Sequence, residues 1–264
     1  MESLIAIISA LYQEIKPLSK RLNNLTIHRR QGFSFLQGFI ADKRILLVNS
    51  GMGRNNSRAL MEVLVSNFPI SLIISVGYAG ALKPFLQAGD IVLADKLYLM
   101  QPSHEAECPI EITDKKTTLI YRVDEKLLNL ALKALQASQL KYYLGSFLTV
   151  DRIIGKPKEK RVLGEKLKPL AVDMETAAIA RIAKKKGLPF IALRSISDSL
   201  EDNIARTIKF KKLKDNASFL KCFFLLLKHP RESLELIKLK KNCSKASEFL
   251  EKIILQMLNS PILI

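Results

Sequence analysis

Cysteine is scarce and odd in number: Cys108, Cys222 and Cys243 lie far apart, which excludes a disulfide framework. The three histidines, His28, His104 and His229, stand away from them, so metal-ligand spacing is missing as well. No apolar run approaches the roughly 20 residues that a membrane-spanning helix needs. The opening MESLIAIISA lacks a basic n-region and a small-residue cleavage site, so a cytoplasmic protein is expected. Acidic residues are in the minority, 25 against 42 Lys and Arg, which gives a net charge of +17. Such a field attracts nucleic acid or an anionic membrane surface. However, no zinc-finger spacing, RNA-recognition signature or aromatic-interleaved basic motif accompanies it, so no specific nucleic acid is expected.

What is present is a core. At 264 residues and 48% hydrophobic, the chain can bury one large domain. Leu4 to Ala10 reads as a first strand, followed by Glu14 and a helix with Ile15, Leu18 and Leu22 at helical spacing. Pro17 fits the first turn of that helix. Phe33 to Ile40 and Lys43 to Val48 pair as strands across an Ala41-Asp42 turn. A turn at Gly51-Met52-Gly53, with Asn or Ser caps, leads into an amphipathic helix through Leu60, Val63 and Leu64. Leu72 to Val76 is a buried strand ending in GYAGAL, and QAGDIVLADKLYL adds a turn and a strand. The stretch from Gln101 to Thr117 reads as a surface loop, and Asp124 can cap a helix carrying Leu127 to Leu135. Lys141 to Val150 returns to strand, and VDRIIGKPKEKRVLGEK holds a turn and a short charged helix. Strands alternating with helices predict an α/β fold: three layers, α/β/α, around a central mixed, largely parallel sheet.

The stretch from Ala171 to Leu200 concentrates the chemistry. It reads as strand, helix, strand, with Asp173, Met174 and Glu175 where the first strand meets the helix and Asp198 closing the second strand. In an α/β sheet, the carboxyl ends of parallel strands border the ligand crevice, where Glu175 and Asp198 would both sit. Each acid alone also has a bland role: Asp198 as a helix N-cap, Glu175 as a favourable charge at a helix start. The glycine turns alone are equally consistent with tight connections.

After Asp202 the chain becomes basic and amphipathic, and two or three terminal helices are expected. We divide the chain into residues 1–202 and a C-terminal extension, 203–264, packed on or beside the domain. Lysines flanking apolar faces also suit a peripheral contact with an anionic membrane.

Read together, five segments in order resemble the nucleoside phosphorylase and nucleosidase superfamily, nearest its methylthioadenosine/S-adenosylhomocysteine nucleosidase branch. They are IAIISALYQE (5–14), NSGMG (49–53), VGYAGAL with AGDIVLAD (76–95), AVDMETAAIA (171–180) and LRSISD (193–198). The resemblance implies cleavage of the N-glycosidic bond of a purine nucleoside by water, with no metal or organic cofactor and a homodimer as the usual assembly. It implies roles as well: Asp198 as general acid at purine N7, Glu14 activating water, and Arg194 near that nucleophile. Glu175 would bind the ribose hydroxyls with Met174 beneath the sugar, and Ile153 and Ile154 would flank the base. Met52, Tyr78, Ala79 and Gly80 would line the pocket. Tyr78 stands where the nucleosidases carry a small hydroxyl residue, which implies an altered or partly filled water site, and Asp173 replaces a glutamate, a mild change. The region VDRIIGKPKEKR and the basic tail also resemble hopanoid-associated phosphorylase-like proteins, which implies an adenosylated lipid as the alternative substrate. A non-catalytic nucleoside-binding module, with Tyr78 closing the water site, is the alternative of another class.

Overall fold

A computed structural model describes residues 3–100, 117–123, 125–165, 167–204 and 230–260. The loop expected at Gln101–Thr117, all but its last residue, and the Asp124 cap lie outside the described residues, as does the basic stretch 205–229.

The sheet grows from two neighbouring strands in which nearly every side chain is buried, β1 (Leu4–Ser9) and β5 (Ile70–Ala81). Strands covered on both faces read as continuous apolar runs, and these do. Alternation sends their residues to two layers. Ile5, Ile7, Leu72, Ile74 and Val76 face α1 (Tyr12–Ser19), α3 (Glu125–Ser138) and α6 (Pro230–Leu258). Ala6, Ile8, Ile73, Ala79 and Ala81 face α2 (Arg54–Asn67) and α5 (Thr176–Lys185). The three-layer α/β/α expectation therefore holds.

The sheet is evenly mixed. β1 pairs in parallel with β4 (Lys43–Asn49) and β5, and β5 pairs in parallel with β10 (Phe190–Asp198). On the far side, β2 (Asn23–Arg30), β3 (Phe33–Ile40) and β4 form an antiparallel meander, with positive φ at Ala41 and Asp42 making the tight turn. β6 (Ile91–Met100) runs antiparallel to β10 and parallel to β8 (Tyr142–Thr149), and β7 (Thr117–Arg122) hangs on its edge. The short β9 (Ala171–Asp173) joins β8 to the last residues of β5. The long β5 thus has three neighbours, and β5, β10, β6, β8 and β9 close into a ring. The sheet is not open, and the carboxyl ends of β1, β4, β5 and β10 meet at the rim of that ring.

Two local expectations are corrected. α1 begins at Tyr12, so Pro17 sits in the helix interior and not in its first turn. Its missing N–H cannot serve the carbonyl of Gln13, four residues back. Ser247 Oγ of α6 donates to that oxygen instead, at 3.0 Å. The cap of α2 is Gly53, with φ of 93° and no side-chain cap bond, in place of an Asn or Ser.

Of the two or three terminal helices expected, the described residues show one, a 29-residue helix that no Pro or Gly interrupts after Pro230. Its second half is core: Ala246, Leu250, Ile253, Ile254, Met257 and Leu258 are fully buried against α1 and α3. Its first half exposes Leu234 and Ile237 beside Lys238, Lys240 and Lys241.

Candidate active site

Each acid of the site is brought in at or just after the carboxyl end of a strand. Glu14 lies one turn into α1, and its side chain folds back over the helix start. Oε2 accepts the N–H groups of Ala10 and Leu11, both at 2.8 Å, and Oε1 accepts that of Tyr78 at 2.9 Å. Gly77 makes this approach possible, since a Cβ there would lie 2.8 Å from Glu14 Oε1. A carboxylate has about four acceptor positions. Three are filled, and one is left.

Glu175 lies between β9 and α5. Gly53 N–H donates to its Oε1 at 2.6 Å, which joins the Met52 turn to the acidic cluster, and Met174 N–H reaches Oε2 at 3.2 Å. Two acceptor positions remain on this carboxylate. Met174 lies beside the same turn, its methyl 3.9 Å from where a Gly53 Cβ would be, and Met52 is exposed at the mouth.

Asp198 ends β10 opposite Gly80. Oδ1 accepts from Ser197 Oγ at 2.6 Å, and a Cβ on Gly80 would stand 3.2 Å from Oδ2. Oδ2 lies 2.5 Å from the ammonium of Lys160, on α4 (Pro157–Glu165). Oδ2 has no aligned hydrogen-bond partner among the described residues, so charge attraction holds this contact. Close by, Asp202 accepts the N–H and Oγ of Ser199, both at 2.8 Å, and so ties the turn after β10.

Arg194 is a second buried cation of the site, besides Lys160. Nε donates to Asp173, one Nη to the Leu193 carbonyl and the other to Ser75 and Thr176, so four of its five N–H groups are engaged. It acts on Glu14 and Glu175 through its field. Arg194, expected near the nucleophile, is a buried cation bonded to protein acceptors.

Burial of the three carboxyl groups raises all their pKa values. For Glu14, desolvation outweighs its three N–H donors and Arg194. For Asp198, desolvation outweighs Lys160 and Ser197. Glu175 is pushed up to about 7 by desolvation and the charge of Asp173, against the pull of Gly53 N–H and Arg194.

The pair Ile153 and Ile154 is divided: Ile154 is buried with Leu82, Leu148, Val150, Leu163 and Val172, while Ile153 is 40% exposed. Ala79 and Gly80 line β5 at the register of Ile196 and Asp198. Tyr78 serves the site through its N–H, while its hydroxyl is carried across to α6 and lies 2.5 Å from Ser247 Oγ. Tyr78 thus tethers β5, beside Glu14, to α6.

A model of the family described as "Phosphorylase superfamily" matches residues 4–223. The chain belongs to that superfamily. A 5′-methylthioadenosine/S-adenosylhomocysteine nucleosidase of Bacillus pumilus is 30% identical over 74% of this chain and 85% of its own. One from Baumannia cicadellinicola is 29% identical over 81% and 91%. The solved structure of such a nucleosidase from S. pneumoniae with a transition-state inhibitor superposes at a TM-score of 0.75, with 23% identity, over 97% of this chain and 98% of that one. That likeness bears on the fold alone.

Within this superfamily member, three polar residues of the site, Thr149, Thr176 and Lys160, have no reading in the sequence, and a fourth, Asp173, has too slight a one. Asp173, read as a mild replacement, is the hub that takes Arg194, Thr149 Oγ1 (2.7 Å) and Thr176. Thr149 and Thr176 offered no pattern of their own. Lys160 shares the buried helix face of Leu163 and Gly164, an i, i+3, i+4 relation that was the one available signal.

Glu175 yields a pH prediction. Its raised pKa means the folded, unliganded chain favours the protonated acid. That contribution is fully present below 4.5 and is lost as pH rises through about 7. The displacement corresponds to about 3 kcal/mol. Thermal melts of Glu175→Gln should therefore gain on the parent between about pH 5 and about pH 8 by an effect of that order. Parallel Tm curves across the range would contradict the assignment.

Proposed function

We propose that the chain is a purine nucleosidase that hydrolyses the N-glycosidic bond of a 5′-modified adenosine, methylthioadenosine or S-adenosylhomocysteine, and releases free adenine. The observation that carries this reading is the set of unfilled acceptor positions on three buried carboxyls. Glu14 keeps one, enough to take a proton from a single water. Glu175 keeps two, enough for two ribose hydroxyls. Asp198, held above the ordinary carboxylate range by burial, is the proton donor to N7.

As the C1′–N9 bond breaks, its electron pair passes to the purine, Asp198 gives its proton to N7, and the sugar acquires oxocarbenium character. Glu14 removes a proton from water as the oxygen bonds to C1′. The carboxylates of Glu14 and Glu175 place negative charge beside the sugar cation, in a site where charges act strongly because water is excluded.

Water is favoured over phosphate as nucleophile. Phosphate would meet the buried Glu14 carboxylate, and Arg194, the nearby cation, already spends four N–H groups on protein acceptors. The test is chromatographic detection of free adenine from methylthioadenosine, S-adenosylhomocysteine, adenosine, inosine and an adenosylated apolar analogue, with and without phosphate. Adenine from the first two without phosphate is expected. Base release that requires phosphate would overturn hydrolysis, and preference for the apolar analogue would move the substrate to a lipid.

For partners, the family supports a homodimer, checked by light scattering, with a monomer as the opposing result. Leu234 and Ile237, exposed among lysines, support contact of α6 with an anionic membrane. Equal sedimentation of the parent and a Leu234→Glu/Ile237→Glu variant with phosphatidylserine vesicles would remove that idea.

A further inference from the structure

Lys160 is fully buried: its ammonium donates to the Ser199 carbonyl at 2.6 Å and the Asp202 carbonyl at 3.1 Å, and it lies 2.5 Å from the Asp198 carboxyl. Two hydrogen bonds and one charge contact thus fix the ammonium in place. The helix that carries it cannot drift. Leu163 packs among Leu82, Leu148 and Val172, and Lys83 Nζ holds the Gly164 carbonyl at 2.5 Å. A Cβ on Gly164 would overlap the carbonyl of Leu82. Asp198 is the one carboxyl group within ion-pair distance of this ammonium among the described residues, and a buried cation is best placed beside a group that becomes an anion. The structure spends a buried lysine on the very oxygen that faces Gly80.

We propose that Lys160 is a positioning residue for the general acid: it fixes the Asp198 carboxyl at the end of β10 and stabilises the carboxylate formed when the proton leaves for the base. This rests on the nucleosidase reading above. In the step concerned, the Asp198 O–H bond breaks and the N7–H bond forms, while the C1′–N9 pair becomes a lone pair of the departing purine. Asp198 passes from neutral to anionic beside a fixed cation, so the ion pair is strongest after proton transfer. An interaction that strengthens toward the transition state accelerates the step. A lysine that merely stapled Ser199 and Asp202 together would not distinguish the two protonation states.

Two substrates separate these roles in the full-length protein. Methylthioadenosine needs a proton on its leaving base, whereas a 5-methylthioriboside of 4-nitrophenol releases a stable phenolate without one. For Lys160→Met, kcat for adenine release should fall about 30-fold or more, with KM within about 3-fold and nitrophenolate release within about 3-fold. Without the cation Asp198 holds its proton more tightly, so the basic limb of kcat/KM should move up by about one pH unit. Lys160→Arg, which keeps the charge, should restore the parent profile in the main. Should the Met variant fail to fold, Lys160→Gln is read in the same way. Equal slowing of both substrates with an unmoved basic limb would overturn the proposal and leave Lys160 a loop staple. If the parent protein releases neither adenine nor nitrophenolate, the nucleosidase reading falls, and this proposal with it.

Discussion

Replacement of Asp198 by Asn is expected to lower kcat for adenine release by about three orders of magnitude while moving KM only a few-fold. An amide is close in shape and can still donate a hydrogen bond to N7. It has no acidic proton to give, so the purine must leave as an anion. The site offers no substitute acid close by: Glu14 is occupied by backbone donors, and Glu175 accepts from the Met52 turn. The variant also strands the ammonium of Lys160, whose carboxylate lies 2.5 Å away in the parent. Part of the observed loss would therefore be structural, and the double variant with Lys160→Met separates the two. If Asp198 is the acid, the double variant regains stability in urea melts but no activity. Activity above about a tenth of the parent in Asp198→Asn would remove Asp198 from the acid role.

Glu14→Gln carries the second large effect, a loss of about two to three orders of magnitude in kcat. The reason is geometric as well as chemical. The carboxylate takes N–H donors on both oxygens, two on Oε2 and one on Oε1. A glutamine amide must turn its NH2 toward one of those sets, so at least one buried donor loses its partner. The side chain then rotates away or the helix start shifts, and the position that aligned water is gone with the base. If Glu14 serves the water and not the nucleoside, as proposed, substrate affinity by calorimetry should stay within about threefold. A variant that loses affinity and keeps its turnover rate would reassign Glu14 to binding.

Much of this site could be read from the chain because its acids sit in fixed relation to recognisable punctuation. Glu14 follows an apolar run, Glu175 follows a three-residue strand, and Asp198 closes a β-branched one; the carboxyl ends of strands bring all three to one rim. The closed ring was not legible. Nothing in the composition of β5 announces that its first residues pair with β1 and its last with β9 while β10 flanks the other edge. Nor was the role of α6. Its basic, amphipathic character suggests an extension beside the domain, yet Ser247 repairs the carbonyl freed by Pro17 and lies against Tyr78. Those contacts span 234 and 169 residues, a separation no local pattern reports. Lys160 was hidden for a different reason. Three lysines stand at alternate positions from Lys156 to Lys160, and only the register of the helix beginning at Pro157 turns the last one inward.

Asp173 shows how a replacement that looks small can carry a network. Its carboxylate gathers Thr149, Thr176 and Arg194 directly beneath Glu175, and its charge helps raise the pKa of that residue. The protonation of Glu175 is thereby set in part by a neighbour bonded wholly to protein groups.

The claim at the centre of this account is that water, aligned by Glu14, is the group that takes the purine's place at C1′. Mass spectrometry of the sugar product after turnover of methylthioadenosine in H2(18O), with phosphate present, tests it most directly. The account predicts free adenine and a thioribose whose anomeric oxygen carries the label. A sugar 1-phosphate without the label would contradict it.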